Sequence, residues 1–509
     1  MFAVERPLKT TQDQELELDK RFRTLSRCHN VMVKHVKHLL NILKFDKNYN
    51  MWLKEYRKLS HIKRPTEKQK IKRKKLAKRM NLFRGSIGLT ESGLQAYIRN
   101  WYPRNGRCLQ SRAVQKEATR VWKGAEKVIF GNGKDVRFKR FMDFNTIGGK
   151  TNAAGIRFDP KTLTVKYNGL DIPIKLPKNA KDRDMFLHDI QGDIRYCEIK
   201  RRMFNNGWHY YVVIILKAEA HKRLLSHAKL TERGGVDIGT STVAFTSKGK
   251  CFLRELAPRT VNYNKEIARI QRKMDRSRRA TNPAKYKEDG TFDQGNTDPW
   301  ILSKNYFKLK RRLKTLYRQK SAYIKQDHER VCNLIIQYAL CIFIEKMNFA
   351  ALAKRAKKAK RKQQAEQKKI REQTEMSQTV KKSPRKKRFG RSIQYRAPAG
   401  FIGILERKLS QYGGILYYVN TKAFKASQFH HDTGEYIVSS LSERFKDIAG
   451  HEVQRDLYSA FLLMNSDTTG TAPDIDLCDR TFSSFLIAHN RQILEMKANG
   501  ITRRSCFGF

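Results

Sequence analysis

The sequence has few acidic residues, no paired cysteine motif and no long apolar run. Of its 509 residues, 48 are Asp or Glu and 107 are Lys or Arg, so the formal net charge is +59. A charge of this size repels itself unless a polyanion neutralises it, and nucleic acid is favoured over an anionic membrane surface. No apolar run approaches the ~18 residues that a membrane-spanning helix needs, and no signal-peptide core is present. The sequence therefore predicts a cytoplasmic protein with no membrane partner.

The eight cysteines are scattered along the chain, and none lies in a Cys-x-x-Cys pair. This spacing excludes a zinc ribbon and does not favour a disulfide framework. Reduced thiols are the simplest interpretation, and several of them, such as Cys341, are expected to be small core residues. The length of the chain predicts two to four domains with substantial cores.

In the N-terminal half, the spacing of apolar residues changes once, from a helical to an alternating pattern. Residues 1–12 are compatible with one short strand, and 13–125 show a basic, mostly helical pattern. Over 126–230 the period changes to two, and Asn168-Gly169 is a hairpin turn signal. This region is therefore predicted to be an antiparallel sheet or small barrel.

The C-terminal half alternates between strand and helix patterns. Residues 231–426 are predicted to form the first part of an α/β domain, 427–450 a polar insertion, and 451–509 the last part of the same domain and a helical tail. A low-complexity, basic insertion covers 351–399, which is either a solvated segment or a nucleic-acid-contacting arm. The candidate nucleic-acid-binding residues of this arm are Lys381, Lys382, Arg385, Lys386, Lys387 and Arg388.

Three acidic residues occupy unusual positions. Asp237 ends an apolar strand, Glu345 closes the apolar run that begins at Cys341, and Asp456 lies at the start of a predicted helix. A carboxylate at the end of a buried strand is costly unless its charge is compensated, and divalent metal ions are common compensators. Two Mg²⁺ ions can hold a water and a leaving oxygen on opposite sides of one phosphate. The order strand-acid, strand-acid, helix-acid therefore predicts a metal-dependent phosphodiester nuclease with a ribonuclease H-like fold.

Three segments resemble the RuvC motifs of TnpB, the family of transposon-encoded RNA-guided DNA nucleases that is ancestral to type V CRISPR effectors. These segments are 234–240 (GGVDIGT), 342–348 (IFIEKMN) and 454–460 (QRDLYSA). The similarity also includes Gly413-Gly414 with its following strand and 425–428 (KASQ).

The resemblance implies an α+β multidomain protein. A helical recognition module and an antiparallel β-barrel wedge domain would precede a RuvC α/β nuclease domain. It further implies a guide RNA, a target DNA with a short flanking motif, and cleavage at a single site that uses two Mg²⁺ ions in a prokaryotic cytoplasm. Asp237, Glu345 and Asp456 would be the catalytic, metal-binding acids, with Asp237 bridging both ions. The guide sequence, the flanking motif and the oligomeric state do not follow from the sequence.

One segment departs from the family pattern. After 425–428 the family usually has a four-cysteine zinc finger, but 429–450 contains no cysteine. His430, His431 and His451 are the remaining metal-ligand types there, and structural zinc sites usually include thiolates. No zinc is expected, and the segment is predicted to remain as a loop or hairpin near the active site.

Three alternative functions compete with this interpretation. An actin-like or sugar-kinase ATPase also uses an Asp-x-Gly-Thr strand end, but it needs a second Asp-Gly-Gly phosphate loop, which this sequence lacks. A nuclease-inactive RNA-guided DNA-binding protein would not retain all three acids. A guide-free resolvase would not need the basic N-terminal half, and its cleavage would survive removal of RNA.

Overall fold

The computed structural model divides the chain into two compact units, Met1–His221 and Lys222–Phe509. Its described residues are 1–62, 65–102, 108–131, 133–204, 206–217, 227–352, 389–438, 440 and 443–501. Both helices and antiparallel sheets are present, so the α+β class expected from the sequence is confirmed in its coarse form. Among the helices in these ranges, none has the length and apolar character needed to cross a membrane.

The first unit begins with one strand followed by five helices. The strand is β1 (Phe2–Pro7), and the helices are α1 (Gln12–Phe45), α2 (Lys47–Ser60), α3 (Glu67–Ser86), α4 (Glu91–Trp101) and α5 (Ser111–Ile129). Polar side chains at Thr11 and Thr66 form capping boxes that set where α1 and α3 begin. The helical module predicted from hydrophobic spacing is therefore present, and α1 buries the apolar face that the spacing defines.

The rest of the first unit is mainly antiparallel β structure. Its elements are β2 (Thr146–Gly148), β3 (Arg157–Asp159), β4 (Thr164–Tyr167), β5 (Leu170–Pro173), α6 (Ala180–Asp189), β6 (Ile194–Phe204) and β7 (Gly207–Leu216). Asn168 and Gly169 join β4 to β5 with φ angles of 48° and 81°, as a two-residue hairpin turn with two positive φ angles requires.

The closed barrel implied by the resemblance does not form among the described residues. The strands make two open sheets, of order β1-β7-β6-β2 and β3-β4-β5. The edge strand β2 has only three residues. A Cβ at Gly148 in β2 would lie 2.8 Å from Arg120 Nη2 and 2.9 Å from Lys116 Cγ, so α5 packs closely on the face of this strand. An edge strand of three residues offers few backbone groups for pairing with a further strand.

The second unit is built on a five-stranded mixed sheet. Its strands are β8 (Arg233–Ile238), β9 (Thr242–Ser247), β10 (Lys250–Glu255), β11 (Cys341–Glu345) and β12 (Ile415–Val419), in the order β10-β9-β8-β11-β12. The first three strands form an antiparallel meander, whereas β11 runs parallel to β8 and β12 runs parallel to β11. The strand β8, which carries Asp237, is therefore the central strand of this sheet.

Helices and one hairpin complete this unit. They are α7 (Thr260–Thr281), α8 (Lys304–Tyr338), α9 (Gly390–Arg396), α10 (Pro398–Gln411), α11 (Thr421–Phe424), the hairpin β13 (Phe445–Ile448) and β14 (His451–Gln454), α12 (Arg455–Met464) and α13 (Ile475–Ala498). One core contains Val236 and Ile344 with residues of α8 and α10. The other contains Phe343 with residues of α12 and α13. The two cores lie on opposite faces of the sheet.

Candidate active site

Two of the three predicted acids lie side by side at the ends of parallel strands. The register between β11 and β8 pairs Phe343 with Gly235 and Ile344 with Val236. One further step along both strands places Glu345 level with Asp237. Side chains alternate between the faces of a strand, so Gly235, Asp237 and Glu345 share the face that Phe343 presents to α12. Asp237 and Glu345 therefore meet at one edge of the sheet, on the side covered by α12.

The helix α12 reaches this edge because β8 has no side chain at Gly235. A Cβ at Gly235 would overlap the carbonyl oxygen of Ala460 and lie 2.5 Å from the backbone nitrogen of Met464. The helix backbone thus packs directly on the strand two residues before Asp237. Asp456 lies one turn before Ala460, in the first turn of α12, and its charge acts on Asp237. Any larger residue at position 235 would displace the helix that carries the third acid.

Hydrogen bonds fix both ends of α12. At its beginning, the Gln454 side chain accepts a hydrogen bond from the backbone N–H of Leu457 at 2.8 Å, and the Gln454 backbone N–H donates to His489 Nε2 at 2.9 Å. At its end, Arg233 of β8 donates to the carbonyl oxygens of Met464, at 2.9 Å, and Ser466. These contacts tie α12 to β8 and α13, so the position of Asp456 relative to Asp237 is determined by the sheet.

The three carboxylates interact electrostatically. Burial raises the pKa of Asp237 well above its ordinary value, and the negative charges of Asp456 and Glu345 raise this pKa further, whereas Arg455 opposes the increase. Asp237 retains some solvent exposure at the surface of the sheet edge, yet protein atoms surround its carboxylate closely. The structure therefore brings together all three acids that the sequence singled out, with an excess of negative charge at the strand ends.

Glu345 is held by the KASQ segment. Burial raises the pKa of the Glu345 carboxyl, and a hydrogen bond from the backbone N–H of Ala426 opposes this increase. Ala426 is buried, and it follows Lys425, which has a φ of 45° at the end of α11. The left-handed conformation at Lys425 turns the chain so that the N–H of Ala426 faces Glu345. The sequence identified this segment only through its resemblance, and its contact with Glu345 is a result of the fold.

Arg455 is a further member of the site, beside the three acids. Its guanidinium lies 3.3 Å from Asp456 Oδ1, and it also donates to the carbonyl oxygen of Glu443 at 3.1 Å. Both Arg455 and Asp456 are largely shielded, with side-chain exposures of 12% and 19%. The positive charge of Arg455 also partly offsets the increase in the pKa of Asp237. It therefore supplies positive charge beside the acids, and its adjacency to Asp456 in sequence was the available signal.

The donor chemistry of the three acids fits magnesium in a two-ion arrangement. Among the described residues, no group of three or more His, Cys, Asp or Glu side chains is arranged to hold one metal ion. A two-ion site does not need such a group, because Mg²⁺ accepts one or two carboxylates and fills its other positions with water or phosphate oxygens. Burial raises the pKa of Asp237, and the negative charges of Asp456 and Glu345 add to this increase, so the protein alone does not fully compensate the ionised form of Asp237. Divalent cations would supply that compensation.

The stability of the metal-free protein should depend on pH through Asp237. Its pKa is higher in the folded than in the unfolded state, so the folded protein binds an extra proton between the two values. Stability is therefore expected to fall as the pH rises from about 4, the ordinary carboxyl value, through the folded pKa. Asp237→Asn should raise the melting temperature by a few degrees at neutral pH in EDTA, with a difference that shrinks toward acidic pH.

The matched control for this measurement is Glu406→Gln, since Glu406 is an exposed acid on α10. Its melting curve should follow wild type at every pH. If Asp237→Asn lowers the melting temperature at neutral pH, Asp237 makes a stabilising contact as a carboxylate and the electrostatic interpretation is wrong.

The cysteine-free insertion folds back against α12. The backbone N–H of His430 donates to the Glu435 carbonyl at 2.9 Å, which closes a short turn. His431 is buried, and its Nδ1 lies 2.7 Å from the Tyr458 hydroxyl, while its backbone N–H donates to the same oxygen at 3.0 Å. Its ring also packs against Phe482 of α13 with ring centroids 4.7 Å apart. Aromatic packing and hydrogen bonds thus connect the insertion to the helix that bears Asp456.

We predict that this insertion folds without zinc. Elemental analysis after dialysis against a chelator should find much less than one zinc per chain, and the melting temperature should not fall in the chelator. Because His431 contacts Tyr458, Tyr458→Phe should lower stability by about 1–3 kcal/mol through loss of a buried hydrogen bond. One tightly held zinc per chain would contradict the prediction, and His430→Ala and His431→Ala would then identify the ligands.

The predicted nucleic-acid-binding residues of the basic insertion cannot be placed. Lys381, Lys382, Arg385, Lys386, Lys387 and Arg388 all lie outside the described residues. Their proposed role therefore depends on the sequence alone.

The chain has limited similarity to known proteins. No family model and no curated protein matches the sequence. One solved structure, described as a cryo-EM structure of a CRISPR-Cas12f ternary complex, aligns with 90% of this chain and 86% of its own chain. The identity is 10% and the TM-score is 0.28. A similarity at this level does not establish a shared fold or activity.

Proposed function

We propose that this protein is an RNA-guided DNA endonuclease that hydrolyses phosphodiester bonds at a single centre formed by Asp237, Glu345 and Asp456. The observation that carries the proposal is the convergence of these three carboxylates on one face of the sheet. They come from a central strand, a neighbouring parallel strand and a helix. The first and the last of them, Asp237 and Asp456, are more than 200 residues apart in sequence. Their mutual repulsion is destabilising without a compensating cation, which favours a catalytic over a structural role.

The topology of the second unit supports this proposal. Its first three strands form an antiparallel meander that ends with β8 at the centre of the five-stranded sheet, and β11 and β12 extend the sheet in parallel on the other side of β8. This arrangement is the one expected for a ribonuclease H-like domain. Parallel strands bring their carboxyl ends to one edge, where ligands of open α/β sheets commonly bind. Asp237 and Glu345 lie at this edge.

Each residue of the centre has a distinct task in the proposed reaction. Bound Mg²⁺ would activate a water and stabilise the leaving oxygen of the scissile phosphate. Asp237 would contact both ions in this proposal, whereas Glu345 and Asp456 would each complete one side. The N–H of Ala426 orients Glu345. Arg455 holds Asp456 and adds positive charge where a phosphate would approach.

Guide dependence is supported by the charge of the chain and by the motif resemblance. A net charge of +59 is far larger than a small catalytic centre needs. It favours a protein that contacts the many phosphates of a structured RNA and a DNA duplex. In RNA-guided recognition, base pairing reads the target sequence, while the protein reads heteroduplex shape and a short flanking motif. The cleaved substrate in this proposal is the DNA opened by that pairing.

The function is tested by asking whether cleavage needs RNA. Protein purified at moderate salt should contain a discrete RNA species, and sequencing that RNA should identify a segment complementary to a cleavable duplex. Cleavage should require Mg²⁺ and should cease when the RNA is stripped and resume when it is returned. Cleavage that persists after complete removal of RNA would favour a guide-free, structure-specific nuclease, and absence of bound RNA together with no stimulation by added RNA would exclude guide dependence.

A further inference from the structure

The connection between α7 and α8 carries three aromatic rings in contact. Its residues, 282–303, are rich in Asn, Asp, Gly and Pro, which are common in loops. Phe292 stacks on Trp300 with ring centroids 5.7 Å apart and an interplanar angle of 18°. The Tyr286 ring lies 6.3 Å from each of them. We call this group the aromatic cluster.

Polar contacts hold the backbone of this connection in one conformation. The Asn282 side chain donates to the Ile301 carbonyl and accepts from the Ile301 N–H, both at 2.8 Å, so the two ends of the loop are joined. Buried Lys285 donates from Nζ to the Asn296 side-chain oxygen at 3.0 Å. Tyr286 and Phe292 form an antiparallel bridge across a turn. The rings are thus preorganised by contacts that involve mostly backbone and amide groups.

The aromatic cluster is held at the surface rather than buried. Phe292 is 46% exposed and Trp300 is 39% exposed. Two cations already lie over the Trp300 ring, with Arg278 at 4.9 Å and Lys285 at 5.0 Å. Phe292 covers part of the same ring by stacking, and Phe292 itself keeps nearly half of its surface in contact with solvent. Such a rigid, exposed ring is a suitable surface for stacking with a nucleobase.

The charges around the aromatic cluster favour a nucleic acid strand. In the adjoining helix ends, 272–279 and 304–314, eleven residues are Lys or Arg, whereas Asp275 is the one acid. Asp275 is itself paired with Arg278 and Arg279, at 2.7 and 2.9 Å. Phosphates would therefore find positive charge on both helices below the loop.

The loop itself favours RNA over DNA. It contains four acids, Glu288, Asp289, Asp293 and Asp298, and only two lysines. Carboxylates repel phosphates but accept hydrogen bonds from hydroxyl groups. A ribose 2′-OH is a donor that deoxyribose lacks. The combination of a stacking ring, acceptors around it and basic helices below it matches an unpaired RNA segment whose bases face the loop and whose backbone lies along the helices.

We propose that Phe292, supported by Trp300, is a stacking platform for an unpaired base of single-stranded RNA at the end of the α7–α8 hairpin. The inference rests on the proposed function for its partner, RNA, but it does not depend on catalysis. The platform binds a base through its ring face, while the basic helix ends contact the flanking phosphates. This site lies on elements that carry none of the three acids.

Photo-crosslinking of the full chain tests the platform. A short unstructured oligouridylate carrying 4-thiouridine is irradiated with the protein in EDTA, so that cleavage plays no part in the result. Trypsin cleavage after Lys287 and Lys304 releases the segment 288–304, which contains both Phe292 and Trp300 and no other basic residue. A crosslink in this segment is expected. Phe292→Ala should weaken binding at this position by about 5- to 150-fold, the range for loss of one base–aromatic stack.

Three further variants separate stacking from loop integrity. Phe292→Tyr keeps the ring and should retain the crosslink, whereas Phe292→Leu keeps apolar packing and should lose it. Ile301→Ala is the matched control, because Ile301 is 65% exposed in the same tryptic segment and has no ring. Its crosslink yield should equal wild type.

The outcomes distinguish this site from the nuclease centre. No crosslink in 288–304, or a yield that Phe292→Ala and Phe292→Leu leave unchanged, overturns the platform even if guide-dependent cleavage is observed. An equal yield with the matched oligodeoxyuridylate overturns the assignment to RNA. A crosslink that depends on the Phe292 ring and prefers RNA supports the platform even if the three acids prove not to be catalytic.

Discussion

Asp237→Ala should abolish guide-dependent DNA cleavage, with a loss of several orders of magnitude, while the protein remains folded. Asp237 lies between Glu345 and Asp456, and both raise its pKa. Removing it would eliminate the ligand best placed to contact both ions, and with it water activation and stabilisation of the leaving group. Removing a repulsive charge should not lower the melting temperature. Guide RNA and target DNA should still bind, because their affinity depends on many other basic residues.

Alanine variants of the two other acids should also lose cleavage activity, but their effects on stability should differ. Asp456→Ala removes the carboxylate that lies 3.3 Å from Arg455, and loss of this partly shielded ion pair should lower stability by up to about 1 kcal/mol. Glu345→Ala removes the acceptor for the Ala426 N–H, whose net contribution is about 1.5–3 kcal/mol for a bond to a charged group. All three variants should cut far more slowly than wild type.

The decisive experiment compares these variants on one guide-matched duplex at saturating RNA. Melting temperatures are measured in parallel, and Glu406→Ala serves as the control for loss of an exposed acid in the same unit. Glu406→Ala should cut at the wild-type rate. Rapid cutting by folded Asp237→Ala protein would remove this group of acids from consideration as the catalytic centre.

Affinity for the guide RNA should fall steeply with salt, by about 10³-fold or more between 50 and 200 mM. Each phosphate contact releases condensed counterions, and the logarithm of the binding constant falls with the logarithm of salt concentration in proportion to the number of contacts. A chain of charge +59 is expected to make many such contacts. An uncharged-backbone oligomer of the same base sequence is the control, and its binding should depend little on salt.

The same measurement tests the basic insertion. Replacing Lys381, Lys382, Arg385, Lys386, Lys387 and Arg388 by glutamine removes six charges. If all six residues contact phosphates, the plot of the logarithm of the binding constant against the logarithm of salt concentration should have a slope that is shallower by about 4 to 5. An unchanged slope would show that this arm does not contact the RNA. A near-zero slope for wild type would contradict the nucleic-acid role of the whole chain.

The sequence was sufficient to predict most local structure. Helical spacing predicted the mostly helical module at 13–125, and Asn168-Gly169 predicted the hairpin of β4 and β5, because these features depend on neighbouring residues. The three acids were also recognisable, since a carboxylate at the end of an apolar strand is conspicuous in sequence. The barrel was not predicted correctly, because closure depends on which strand edges pair rather than on the period within each strand.

Only the tertiary structure determined how the acids meet and what surrounds them. The level positions of Asp237 and Glu345 follow from a strand register across 108 residues of chain. The approach of α12 depends on the missing side chain at Gly235, which no local pattern distinguishes from an ordinary strand glycine. The exposed stacking of Phe292 on Trp300 likewise depends on Asn282 joining the loop ends. Composition and periodicity specify which residues prefer burial, helix or strand, but contacts between distant segments decide which charges and rings are placed together.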